Sequence, residues 1–114
     1  MKETDFNKKV QLLWESHGGY IIKIEVANKA GVHDMLASMP NNKGIGRFCS
    51  LEGKLAYNKM SQLQIAHRNK VITSGGLAKE VKTLNDVLLV IQWVKEDYIQ
   101  KISNEKTQLK QFTL

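Results

Sequence analysis

The 114-residue chain has a single cysteine and a single proline. One thiol, Cys49, cannot close an internal disulfide or complete a multi-cysteine zinc site. It fits a reducing compartment and is assigned to packing. No run approaches the roughly 18 consecutive apolar residues of a membrane-crossing helix; the longest, Val87 to Val94, is broken at Gln92. The charged start, Met1 to Asp5, lacks the apolar segment of a secretory signal, so a cytoplasmic protein with no membrane partner is expected. Gly44-Ile45-Gly46 and Gly75-Gly76 lack the spacing and the Lys-Ser/Thr of phosphate-binding loops, and read as turns and helix stops. No Gly-x-Ser-x-Gly occurs, which argues against a covalent hydrolase. His17, His33 and His67 have no pair at zinc-binding spacing. His67 is assigned to a buried stripe, and His33 to either packing or a substrate contact.

What is present is the balance of a folded domain, with 42% hydrophobic and 25% charged residues. The length suits one domain, taken as residues 1–102, followed by a polar stretch, 103–114, read as a tail or helix extension. Seventeen Lys+Arg against eleven Asp+Glu leave a net charge of +6, which favours polyanions such as nucleic acid or an acidic surface.

Phe6, Val10, Leu13 and Trp14 share a helical stripe, and a first helix is expected from Thr4 to Ser16 before Gly18-Gly19. Tyr20 to Val26 alternates as a strand, with Tyr20, Ile22, Ile24 and Val26 on the apolar side. Val32 to Ser38 reads as a second strand, Pro40 to Gly46 as a turn, and Arg47 to Leu55 as a third strand. Met60, Leu63, Ala66, His67 and Val71 mark a helix over Ser61 to Ser74, and Leu77 to Val81 a fourth strand. Thr83-Leu84-Asn85-Asp86 has the form of a capping box opening a third helix that reaches Ile102. This order implies an α/β domain with a central mixed sheet of about four strands flanked by helices.

Residues two apart on a strand share a face, so the Glu52 carboxylate and the Lys54 ammonium emerge together, with Phe48 and Ser50. Such a pair is either a salt bridge or part of a site. Asp34, inside an apolar strand, needs a partner to offset desolvation: Lys54 or Lys23, or a divalent cation such as Mg²⁺ shared with Glu52. Glu3 falls in the sector of the buried stripe, as a solvated helix end or a site residue.

The segments Glu3-x-x-Phe6-x-x-x-Val10, Gly19-Tyr20-Ile21-Ile22-Lys23, Gly31-Val32-His33-Asp34, Glu52-Gly53-Lys54 and Met60-Ser61-x-Leu63-Gln64 together resemble the VRR-NUC branch of the PD-(D/E)xK nucleases. The resemblance covers residues 3 to about 91, in the family's order. It implies a restriction-endonuclease-like core and phosphodiester hydrolysis dependent on Mg²⁺ or Mn²⁺. Asp34 and Glu52 would then hold metal with the carbonyl of Gly53, and Lys54 would orient the attacking water or stabilise transition-state charge. Gln64 matches the family's motif glutamine and Glu3 its N-terminal acid. Two positions depart from the pattern: His33 stands where proline precedes the aspartate, and Gly53 where a larger residue is common.

Lys23, Lys29, Lys59 and Arg68 are the candidate DNA-phosphate contacts, with Lys43, Arg47 and Lys70 also near the motifs in sequence. No base-reading motif accompanies them, so recognition by DNA shape is expected. The resemblance implies a structure-selective endonuclease of a bacterial or phage-infected cell, acting on branched DNA such as a Holliday junction or flap. A homodimer, formed through the third helix or the tail, would match such a two-fold substrate. The alternatives are a non-catalytic nucleic-acid-binding module on the same fold and a less selective nuclease that trims ends or flaps.

Overall fold

The structure is a computed structural model that describes residues 2–55 and 57–102; the 103–114 stretch read as a tail lies outside the described residues. The elements run α1 (Glu3–Ser16), β1 (Tyr20–Lys23), β2 (Met35–Pro40), β3 (Gly46–Gly53), α2 (Gln62–Thr73), β4 (Leu77–Val81) and α3 (Leu84–Lys95). The strands form one mixed sheet in the order β1-β2-β3-β4, antiparallel except for the parallel β3–β4 pair. Parallel pairing requires a crossover, and α2 supplies it. This is the α/β architecture expected from the sequence.

Register sorts the sheet residues into two faces. Ile21, Ala37, Cys49 and Leu77 align across all four strands, with Met35 and Leu51 one step along. These pack with Val10 and Trp14 of α1 and Val87, Val90 and Val94 of α3 into the main core. Cys49 is a packing residue here, fully buried, and burial pushes its thiol up to about 12. The opposite face carries Ile22, Leu36, Ser50 and Ala78 in one row and Glu52 beside Glu80 in the next. On this side Val71 and Ile72 of α2 bury Ala78, with Ile102 against them.

Several boundaries differ from expectation, each for a local reason. The core side of β1 is Ile21, not the Tyr20/Ile22 side, which is 67% and 41% exposed. The helix on that face lies over β3 and β4, so nothing among the described residues covers Tyr20. β1 stops at Lys23, and Val26 is almost fully exposed. β2 begins at Met35 and extends through Pro40, two residues later than expected at its far end. The Asn41 carboxamide then accepts from the backbone N–H of Lys43 and Ile45 and closes the hairpin. In α2 the first-turn residue Leu63 is 57% exposed, its backbone carbonyl lying against Gly31 of the loop before β2.

α3 ends at Lys95 and not at Ile102. Asp97 takes a positive φ of 54°, the Asp97 N–H reaches the Val94 carbonyl, and the Tyr98 N–H reaches that of Trp93. The rings of Trp93 and Tyr98 stack with centroids 4.9 Å apart, completing a left-handed helix stop with its apolar contact. No helix among the described residues is long and apolar enough to cross a membrane.

Candidate active site

Three segments meet where β3 ends: the loop before β2, the end of β3 with Lys54 beyond it, and the first turns of α1. Glu52 is the last but one residue of β3 and is 1% exposed. Its Oε1 accepts from the backbone N–H of Asp34 at 3.1 Å, and its Oε2 lies 3.6 Å from Lys54 Nζ. Asp34 sits at the entrance to β2 and not within it, so its side chain keeps 28% exposure; Oδ1 is 3.9 Å from Lys23 Nζ. The two carboxylates and the two lysines are therefore one constellation, whereas the sequence left salt bridge and site as alternatives.

Burial pushes the Glu52 carboxyl up to about 7, the negative charge of Asp34 adds to this, and Lys54 opposes it. The excess negative charge is what a bound cation would relieve. The donors are oxygens only, which suits a hard divalent ion. Among the described residues no group of three or more His, Cys, Asp or Glu side chains converges as a ligand cage. Any ion here would complete its shell with a backbone carbonyl and water, as Mg²⁺ commonly does.

The remaining expected residues fall into two groups. Glu3 Oε2 accepts from Asn58 Nδ2 at 2.7 Å and from the Leu55 N–H at 3.4 Å, so it secures the chain just after Lys54 without touching the carboxylate pair. Gln64 is likewise not in that pair: its Oε1 accepts from the Ser61 N–H at 2.9 Å, as half of a capping box that starts α2. Its backbone carbonyl lies 2.9 Å from His33 Nε2. His33 is fully buried, which removes it as an exposed substrate contact, and burial pushes it down to about 4 against the opposing bond from Gln64. Its ring lies 4.5 Å from that of His67, whose Nε2 is 2.8 Å from Ser50 Oγ. A polar chain, buried at His33 and Ser50, thus ties α2 to the segments that carry Asp34 and Glu52.

Gly31 holds the other side of this junction. It adopts a φ of +84°, and a Cβ there would come within 2.3 Å of the Leu63 carbonyl oxygen, so the loop can press against α2 only with glycine.

Of the basic residues, Lys23 is at the site. Lys29 and Lys59 are exposed on the two loops that flank it, and Lys29 shares a small cavity of about 100 Å³ with Lys70. Arg68 lines a cleft of about 430 Å³ along the β4 edge with Lys79, Lys82 and Trp93. Arg47 is instead at the far end of β3, bonded to the carbonyls of Gly75 and Tyr98, and Lys43 is at the hairpin tip beyond it. Distance along the strand takes both away from the carboxylates.

Asn7 was missed in the sequence. It is 3% exposed and its Nδ2 lies 3.4 Å from Asp34 Oδ2. The available signal was a polar residue placed among Phe6, Val10 and Trp14, one turn beyond Glu3.

No family model and no curated protein matches the chain. A solved structure described as a VRR_NUC domain does match it, with a TM-score of 0.64, 21% sequence identity, and coverage of 79% of this chain and 94% of that one. The chain therefore has the fold of a VRR_NUC domain, a mixed four-stranded sheet between helices in the restriction-endonuclease-like manner.

Proposed function

We propose that this chain is a metal-dependent nuclease that hydrolyses phosphodiester bonds in DNA at Asp34, Glu52 and Lys54. One observation carries the reading: a carboxylate with 1% exposure, Glu52, is held between the Asp34 backbone N–H and the Lys54 ammonium. The fold match supports it. Burying such a charge costs stability, and the hydrogen bond and ion pair offset that only in part, since the carboxyl stays raised to about 7. Asp34 and Glu52 would hold Mg²⁺ or Mn²⁺, with the Gly53 carbonyl as a further oxygen donor. Such an ion supplies Lewis-acid stabilisation of the charge that develops on a scissile phosphate, and hydroxide at neutral pH.

Lys54 is fixed in place before substrate arrives, its side chain 17% exposed, so its positive charge needs no reorganisation to act on the phosphate. Lys23 screens Asp34 from the outside. Lys29, Lys59 and Arg68 bind phosphates flanking the cut. Glu3 and Gln64 act through the backbone they secure, Glu3 on the segment after Lys54 and Gln64 on the start of α2. We take the substrate to be branched DNA, a four-way junction or flap read by shape, and the acting form to be a homodimer that offers two sites to a two-fold junction.

The test incubates purified protein with labelled junction, flap, single-stranded and duplex DNA in Mg²⁺, Mn²⁺ or EDTA. Cleavage of branched substrates with either metal and none in EDTA is expected, with Lys54→Ala losing cleavage and keeping DNA binding. DNA binding without cutting in any metal would replace this reading with a binding module. Trimming of ends on every substrate would replace the junction selectivity alone.

A further inference from the structure

Asn7 and Gly53 explain each other. A Cβ at position 53 would lie 2.0 Å from Asn7 Oδ1 and 3.1 Å from its Cγ, far inside contact distance. The amide of α1 therefore stands in the space that a side chain between Glu52 and Lys54 would fill. From there its Nδ2 reaches Asp34 Oδ2 at 3.4 Å. Its Oδ1 is buried without a partner among the described residues. An apolar side chain of the same size would fill this niche without leaving an acceptor unsatisfied, so the amide is disfavoured on packing grounds alone.

We propose that Asn7 is a positioning residue for the carboxylate pair, and that Gly53 is glycine because the amide occupies its side-chain space. Asn7 acts through Asp34. The N–H directs one oxygen of that carboxylate toward α1 and fixes its rotamer, while the Asp34 backbone N–H is held by Glu52. Main chain and side chain of Asp34 are thus held by two different partners, and the pair is set before an ion binds. The proposal rests on the nuclease reading, since it assigns Asn7 to the same cation site. It also explains why this chain carries glycine where a larger residue is common: here the space is filled from the helix and not from the strand.

The decisive variant is Asn7→Leu, which keeps the branched shape of the side chain and removes the amide. Mn²⁺ affinity is measured by calorimetry or electron paramagnetic resonance on the full chain, beside the melting temperature in EDTA and kcat and KM for cleavage. Asn7→Leu is expected to remain folded without metal, because loss of the unsatisfied acceptor offsets the added methyl volume, and to bind Mn²⁺ about tenfold more weakly, the usual cost of losing a group that orients a ligand. Its kcat falls while KM for DNA holds. Gly53→Ala is expected to lower both the melting temperature and the Mn²⁺ affinity. Adding Asn7→Ala to it should restore the melting temperature and leave the affinity low. Equal Mn²⁺ affinity in Asn7→Leu and wild type would overturn the proposal alone, as would an unperturbed Gly53→Ala. A wild-type protein that takes up no Mn²⁺ would overturn the nuclease reading and this proposal with it.

Discussion

The two faces of the sheet bury different kinds of atom. Toward α1 and α3 the sheet presents Ile21, Met35, Ala37, Cys49, Leu51, Leu77 and Val81, packed against both helices. Toward α2 it buries Ser50 and Glu52, with His33 from the adjoining loop, and only Val71, Ile72 and Ala78 form an apolar cluster there. Apolar contact makes no demand on orientation, whereas each buried polar atom must find a partner. The first face supplies stability, and the second maintains an arrangement that stability alone would not select. Functional sites commonly carry this kind of local cost.

The largest expected effect comes from the polar face. Glu52→Gln should reduce metal-dependent cleavage on the order of 10²- to 10³-fold. Its melting temperature in EDTA should hold or rise, because a buried charge beside Asp34 is removed. A drop in both would break the division between the faces. Next, Leu77→Ala on the apolar face should cost about 2–5 kcal/mol in urea unfolding, the range for truncating a fully buried leucine. Cleavage per folded molecule should stay at the wild-type rate, and a loss of kcat would show that the two faces are coupled.

A smaller effect is linked to pH. Burial, then the nearby charge of Lys70, lowers His67 below its ordinary 6.5, and His33 is lowered further. The unfolded chain therefore takes up protons that the folded one refuses. The histidines' contribution to stability should fall as pH drops below about 6.5, while Glu52, raised to about 7, contributes with the opposite sign over the same window. On going from pH 7.5 to 5.5, His67→Gln should lose less stability, or gain more, than wild type; an unchanged pH dependence of the urea midpoint would exclude His67 as a contributor. Smallest of all, Ile22→Thr on the uncovered part of the α2 side should change stability by no more than about 0.5 kcal/mol. A larger loss would mean that this patch is covered in solution.

Periodicity and capping made much of the fold legible. β4 spans the expected Leu77–Val81, and α2 begins one residue after Ser61, whose hydroxyl caps it. Thr83 and Asp86 close the expected box at α3, and Asp86 shows the consequence. Burial pushes its carboxyl up, but the N–H groups of Lys82 and Thr83 outweigh this and hold it below the usual range. The end of α3 was not legible, because the left-handed stop falls on Asp97 and not on glycine. Nor was the buried side of β1, since alternation shows that a strand has two faces but not which one a helix will cover. Asp34, Glu52, Lys54 and Lys23 lie together in the structure, Lys23 as the ion-pair partner that the sequence offered for Asp34. Asn7 did not stand out, because its partner is an absence, the missing side chain of Gly53 on a strand more than forty residues away.

The most direct test of the account is a crystal of the wild-type protein grown or soaked with Mn²⁺ and examined for anomalous scattering. The account predicts a peak within about 2.5 Å of carboxylate oxygens from both Asp34 and Glu52. A fully soaked crystal with no peak between those two residues, or with Mn²⁺ held elsewhere, would contradict it.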